Sequence, residues 1–205
     1  MEFRVETEDG YILRVHRIIG KNIGGPPILF RHGFGAASDS WLMNGRNIDL
    51  AFQLADEGFD VWLDDRRGNW YSREHVKYKP NSLDFWNFSF HESAYYDLPA
   101  VINQIINITK YDQVFYVGHS MSCAEYLIMA SLRPEYNDRI KLAVLLSPVA
   151  KTRRIENIKS PLIKLIMLSA DSFYVSFTLN FITNEMFSIT FLSKVILHIY
   201  SSNFV

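Results

Sequence analysis

An α/β fold built on a mainly parallel sheet is what three features of this chain predict. Short apolar runs recur along it: Ile28-Leu29-Phe30, FDVWL at 59–63, QVFYVG at 113–118 and KLAVLLS at 141–147. Strands buried on both faces read as continuous runs of this kind rather than as alternating ones. Segments with helical spacing separate them, which is the rhythm of strand–helix–strand crossovers. Glycine-rich or polar bends, such as RHGFGAAS at 31–38, follow the strands. A chain of 205 residues suffices for one well-buried domain, or for one domain and a piece of another.

The elements follow in order. Phe3–Thr7 and Tyr11–Ile18 alternate apolar and polar side chains around Glu8-Asp9-Gly10, a tight-turn signal, so a hairpin is expected at one end of the sheet. After the loop KNIGGPP comes the apolar run ending at Arg31. A helix is expected over about Asn47–Glu57, with Ile48, Ala51, Leu54 and Ala55 inward and Gly58 as its stop. The strand FDVWL gives way to DDRRGNWYS, read as a polar loop with Arg66 and Arg67 in solvent. The aromatic stretch 83–96 resists assignment. Asp97 then reads as the cap of a helix with Pro99 in its first turn and Val101, Ile102, Ile105 and Ile106 as its apolar stripe. Past QVFYVG, a helix from Ser120 to Pro134 is expected to carry Ala124, Leu127 and Ile128 inward, and KLAVLLS is a last buried strand. From about Lys151 the chain lacks glycine and is rich in large apolar groups, a helical pattern without a core of its own.

Composition narrows the function. Hydrophobic residues make up 48% and charged residues 21%, a globular balance. The net charge of -1 gives no field for nucleic acid. The single cysteine, Cys123, excludes an internal disulfide and reads as buried packing. The start, MEFRVETEDGY, is acidic where a secretory leader needs an apolar core, and no uncharged apolar run is long enough to span a membrane. No His, Cys, Asp and Glu spacing suits a metal. Asn87 and Asn107 head glycosylation triplets that matter only on a secretory route.

Reactive chemistry concentrates at Ser120, in VFYVGHSMSCAEYL. A serine hydroxyl needs a base before it attacks a carbonyl. A strand–Gly118–His119–Ser120–helix turn pushes the side chain above the sheet and aims the helix's N-terminal N–H groups at the same point. Ser122 stands where such elbows usually carry a second glycine, and it adds only a hydroxymethyl group. The alternative is a plain helix-capping serine. The earlier turn after Arg31, His32-Gly33-Phe34, favours the elbow, because the N–H groups of Phe34 and Met121 would form an oxyanion hole. One such donor is worth about 3 kcal/mol in the transition state.

These stretches make the chain resemble the acid lipase family, which includes gastric and lysosomal acid lipases and many insect lipases. The resemblance rests on TEDGYILRVHRI, HGFGAASDSWLMNG, LAFQLADEGFDVWLDDRRGNWYS, WNFSFHESAYYDLPA, YVGHS and RPEYNDRIKLAVLLSPVA, in family order over about 3–150. It implies an α/β-hydrolase core over 1–150 and the start of a helical cap, or lid, over 151–205. It also implies lipid ester substrates (acyl glycerols or sterol esters) met at a lipid–water interface, no cofactor and a secreted or lysosomal setting. By resemblance Ser120 is the nucleophile, Phe34 and Met121 carry the oxyanion N–H groups, and Gly118, His119 and Ser122 shape the elbow. The family usually has glutamine and glycine where this chain has Met121 and Ser122.

In such enzymes the acid and the base follow the nucleophile along the chain. His198 is the sole later histidine, and its helical surroundings suit an ordinary helix residue. The expectation is therefore a chain cut at both ends relative to its family, with the triad acid and base beyond it. Three readings follow in order: an ester hydrolase by ancestry with little turnover, a non-catalytic lipid- or partner-binding form, and a hydrolase using His198 as its base.

Overall fold

The computed structural model describes residues 1–21 and 24–148. Its strands are β1 (Glu2–Glu6), β2 (Tyr11–Ile18), β3 (Pro27–Arg31), β4 (Asp60–Asp65), β5 (Glu74–His75), β6 (Val114–His119) and β7 (Ile140–Leu146). The main helices are α1 (Leu50–Asp56), α2 (Leu98–Thr109) and α3 (Met121–Leu132). The strands form one mixed sheet in the order β1-β2-β4-β3-β6-β7, with β5 paired to β2. The pairs β4·β3, β3·β6 and β6·β7 run parallel, whereas β2 meets β1, β4 and β5 antiparallel. The hairpin β1–β2 thus lies at one end of the sheet. Its turn closes through Gly10 N–H to the Thr7 carbonyl at 2.9 Å, with Gly10 in the left-handed region (φ 95°) that favours glycine.

Every residue of β3 and β4 is buried, so the period-2 alternation of a strand sorts two faces, both covered. On one face Ile28, Phe30, Val61, Leu63 and Val117 pack with Ala51 and Ala55 of α1. On the other, Arg31 and Asp64 are cross-strand partners in the β3–β4 register and share their side with α2 and α3.

Several expectations need correction. α1 begins at Leu50 rather than near Asn47, and Ile48 is 66% exposed. The Asp49 carboxylate accepts from the N–H groups of Asn44 and Gly45, so the preceding residues are held in a turn instead of a helix. β4 extends through Asp64 and Asp65, and Arg66 and Arg67 are buried rather than solvated. Opposite charges from Glu125 of α3, from Asp97 and from the turn at Asp9 reach them, which one segment of sequence does not reveal. The stretch 83–96 resolves into a 3-10 turn (Leu83–Trp86) and a helical start at Phe90 that runs through a π-turn (Ser93–Asp97) into α2. Asp97 is therefore inside a continuous helix and caps nothing; its carboxylate faces Arg67.

The inward face of α3 is also rotated from the expected one. Ser122, Cys123, Glu125 and Met129 are buried, while Leu127 is 41% exposed. β7 likewise is not a buried strand among the described residues, since Leu142, Val144 and Leu146 remain exposed. The stripe of α2 is as expected at Val101, Ile102 and Ile105, with Ile106 half-buried. The segment 151–205 and His198 lie outside the described residues.

Candidate active site

β6 delivers the chain to Ser120, and α3 leaves from it. Ser120 adopts φ 58°, ψ -115°, a region that a residue with a Cβ enters only when its surroundings enforce it. Three contacts enforce it here. The Ser120 N–H donates to the Leu146 carbonyl of β7 at 2.9 Å, and its own carbonyl accepts from Cys123 N–H at 3.1 Å. The third is Ser122, fully buried, whose Oγ accepts from His119 N–H at 2.6 Å and lies 2.9 Å from the His119 carbonyl and 3.0 Å from that of Arg31. A hydroxyl has a single proton to give, so it donates to one or other carbonyl while accepting from the amide. Ser122 thus stitches the elbow to the end of β3.

The flanks are tight. A Cβ on Gly118 would stand 2.8 Å from the Tyr116 ring and 3.0 Å from Ser122 Oγ. The Tyr116 hydroxyl donates to the Ser122 carbonyl at 2.8 Å. A Cβ on Gly33 would meet His119 Nδ1 at 3.0 Å and Ser120 Cβ at 3.3 Å, so the turn after β3 packs closely on the elbow and a side chain there would make its neighbours shift. Phe34 is the next residue. Among the described residues, no acceptor takes the N–H of Phe34 or of Met121. Cys123 is buried with Sγ 3.4 Å from the Gly118 and Leu146 carbonyls, and burial pushes its thiol up, away from reactivity.

Each histidine near the elbow is accounted for. His32 is buried, its Nε2 accepting from Arg66 N–H at 3.4 Å and facing Asn69 Nδ2 at 3.3 Å. Nδ1 therefore carries the proton and donates to the Gly33 carbonyl at 2.8 Å. Burial and the neighbouring Arg66 hold its pKa down to about 3, so His32 is a neutral strut of the turn. His119 is half-buried, edge-on to Trp41 at 6.4 Å, and burial lowers its pKa. His91 stacks on Tyr95 away from this region. Among the described residues no cluster of His, Cys, Asp or Glu suits a metal, and no helix is long and apolar enough to cross a membrane.

Sequence reasoning missed the ionic layer beneath the elbow. Arg31 Nε donates to Glu125 of α3 at 2.7 Å and its other nitrogens bond Asp64 and Ser93 Oγ, all at zero exposure for the charged groups. Arg66 reaches Glu125 at 3.3 Å, and Arg67 pairs with Asp97 at 2.7 Å and Asp9 at 2.6 Å. The available signal was the set of charges at strand ends (Arg31, Asp64) and on the helix after Ser120 (Glu125).

A model of the alpha/beta hydrolase fold matches residues 26–172, and one described as a partial alpha/beta-hydrolase lipase region matches 1–45. Lipase 1 of Drosophila melanogaster is 42% identical over 168 residues, 82% of this chain and 37% of the relative. Human gastric triacylglycerol lipase is 46% identical over 158 residues (74% and 40%), and human lysosomal acid lipase/cholesteryl ester hydrolase 46% over 155 (73% and 39%). The chain thus spans less than half the length of these relatives. Among solved structures, an esterase from Thermogutta terrifontis superimposes with a TM-score of 0.54 at 21% identity, covering 76% of this chain and 48% of that one. The thioesterase domain of the curacin biosynthetic pathway gives 0.57 at 20%, covering 84% and 53%. Both likenesses concern the fold alone.

Proposed function

We propose that this chain, which belongs to the alpha/beta hydrolase fold family and whose relatives are acid lipases, provides the nucleophile and oxyanion half of a serine ester hydrolase acting on lipid esters. The observation that carries the reading is the backbone of Ser120, φ 58° at the apex of β6 and α3. A capping serine has no need of that conformation, since a cap sits in extended backbone and bonds the helix N–H groups through Oγ. Ser120 makes no such bond.

In this mechanism the Ser120 hydroxyl attacks the ester carbonyl, and the N–H groups of Phe34 and Met121 receive the developing oxyanion. That neither N–H has an acceptor among the described residues, and that Gly33 packs closely on Ser120, support that assignment. The positive end of α3 adds to it. Without a paired base the hydroxyl proton passes to solvent water. His32 is neutral, buried and bonded through both nitrogens, which argues against it as a base, and His198 is the one histidine after Ser120. We infer that the chain turns over slowly by itself. A persisting oxyanion hole and binding site still give about 10³–10⁴-fold acceleration over water without the triad. Acyl glycerols or sterol esters at a lipid–water interface are the substrates that the relatives' names suggest, and a secreted or lysosomal setting goes with them. A lipid- or partner-binding role without turnover is the second reading, favoured by the single later histidine.

A fluorophosphonate probe tests this on the full chain. Phosphonylation at Ser120, together with slow hydrolysis of a short-chain ester that disappears in Ser120→Ala, is the expected result. No labelling and no hydrolysis would leave the binding role in its place. Loss of hydrolysis in His198→Ala, with labelling intact, would identify His198 as the base.

A further inference from the structure

The ionic layer under the elbow lies outside the chemistry above, and its charges do not cancel. Three guanidiniums, Arg31, Arg66 and Arg67, are in contact with four carboxylates, Asp9, Asp64, Asp97 and Glu125. Asp9 is at the edge of the layer with its side chain 26% exposed, whereas Asp64, Asp97, Glu125 and Arg31 are at zero. An unbalanced negative charge in such surroundings is costly, and the least costly response is to retain a proton. Asp64 is the group placed to do so. One of its oxygens accepts from Arg31, and the other, Oδ1, is buried with no partner among the described residues.

The layer also joins the two halves of the site. Arg31 is the last residue of β3, directly before the turn that carries Phe34. Its side chain holds Glu125 of α3, while its carbonyl faces Ser122 Oγ of the elbow. We propose that Arg31, Asp64 and Glu125 are positioning residues that register the oxyanion turn against the Ser120 elbow, and that Asp64 does this as the neutral acid, so that the two halves are held most firmly below neutral pH. The positioning part rests on reading Ser120 as the nucleophile; the captive proton does not.

The groups facing Asp64 come from every element around it. β3 contributes Arg31, the end of β4 and its loop Asp65 and Arg66, α3 Glu125 and β6 Tyr116, while Ser93 and Asp97 of the π-turn reach the same Arg31 guanidinium. Burial raises the Asp64 carboxyl first. Arg31 and Arg66 oppose that rise, and Asp65 and Glu125 add to it, leaving a pKa moved from 3.8 to about 7. An acid whose folded pKa lies above its unfolded one binds more protons when folded. Stability from it is therefore greatest below 3.8 and is lost as pH climbs to about 7.

Amide hydrogen exchange on the full chain tests both parts without any ester chemistry, so its outcome is separate from that of Ser120 labelling. Peptides covering 29–36 and 116–128 are followed between pH 5 and 8, with 47–58, which spans α1 on the opposite face of the sheet, as reference and each rate divided by the unstructured-chain rate at the same pH. Protection of the two site peptides should fall as pH rises, by up to about tenfold per pH unit below neutrality, more than in the reference. Asp64→Asn, which keeps an oxygen for Arg31, should remove that slope. Glu125→Gln, which takes away one negative neighbour of Asp64, should move the fall to lower pH, and it carries the test should Asp64→Asn not fold. An unchanged slope in Asp64→Asn, or a fall at unchanged pH in Glu125→Gln, overturns the captive proton. Equal loss in the reference peptide, or site peptides without protection at any pH, overturns the positioning.

Discussion

Ser122 shows how much one hydroxyl decides at the residue scale. A glycine at this position relieves crowding; this chain instead carries a side chain that takes up the crowding as hydrogen bonds to His119 and Arg31. Ser122→Ala should leave a buried His119 N–H without an acceptor and free the end of β3, costing about 1–3 kcal/mol. Urea denaturation measures that loss, and a change below about 0.5 kcal/mol would mean that water replaces the hydroxyl. The turn geometry at Gly118 and Ser120 was legible in the residues themselves, because a strand–Gly–x–Ser–helix pattern leaves few other conformations. The bonds of Ser122 were not, since one partner, Arg31, is 91 positions away. The same distance effect hid Arg66 and Arg67, which a local reading treats as loop cations and which are buried by partners from distant segments.

Pairing between elements sets the pH response. His16 of β2 lies 3.3 Å from Asp65 at the end of β4. Its hydrogen bond to Asp65 raises the His16 pKa against the opposing effect of burial. The sign follows: a histidine favoured in its charged form by folding stabilises fully below its unfolded value of about 6.5, and that stability is lost as pH rises through the higher folded pKa. The difference in urea midpoint between the native chain and His16→Gln should therefore shrink from pH 6 to pH 8.5. A constant difference would show that the pair acts by packing alone. Asp65 also accepts from Ser38 N–H at 2.8 Å and Ser38 Oγ at 2.7 Å, so this tie bears on the far end of the turn that follows β3. Periodicity located β2 and β4 correctly as strands, yet it stopped β4 at Leu63, directly before both acids. Two adjacent carboxylates look like loop residues until the cations that neutralise them are in view.

At the scale of the whole molecule, the described residues leave β7 with one paired edge. It bonds β6 on one side, and no other described strand joins it. Leu142, Val144 and Leu146 are 55%, 41% and 36% exposed along it. Such an edge templates pairing with another chain, and a charge on it is an effective block. Val144→Lys should lower light scattering on warming at equal protein concentration, with β6 and the elbow unaffected by circular dichroism. Equal scattering from both proteins would place association elsewhere. KLAVLLS was read as buried because apolar runs mark strands covered on both faces, and the sheet order is what sets β7 at the margin of the described residues.

The sequence by itself determined the local grammar of this protein. The hairpin, the central strands, the stripe of α2 and the serine elbow all follow from patterns local along the chain, where sterics and periodicity leave little choice. Tertiary structure alone decided which charges are buried, which face of α3 turns inward and what holds the two halves of the site in register. Those outcomes depend on partners separated by tens of residues. A charge's burial is settled by the opposite charge beside it in space, and spacing along the chain does not record that neighbour.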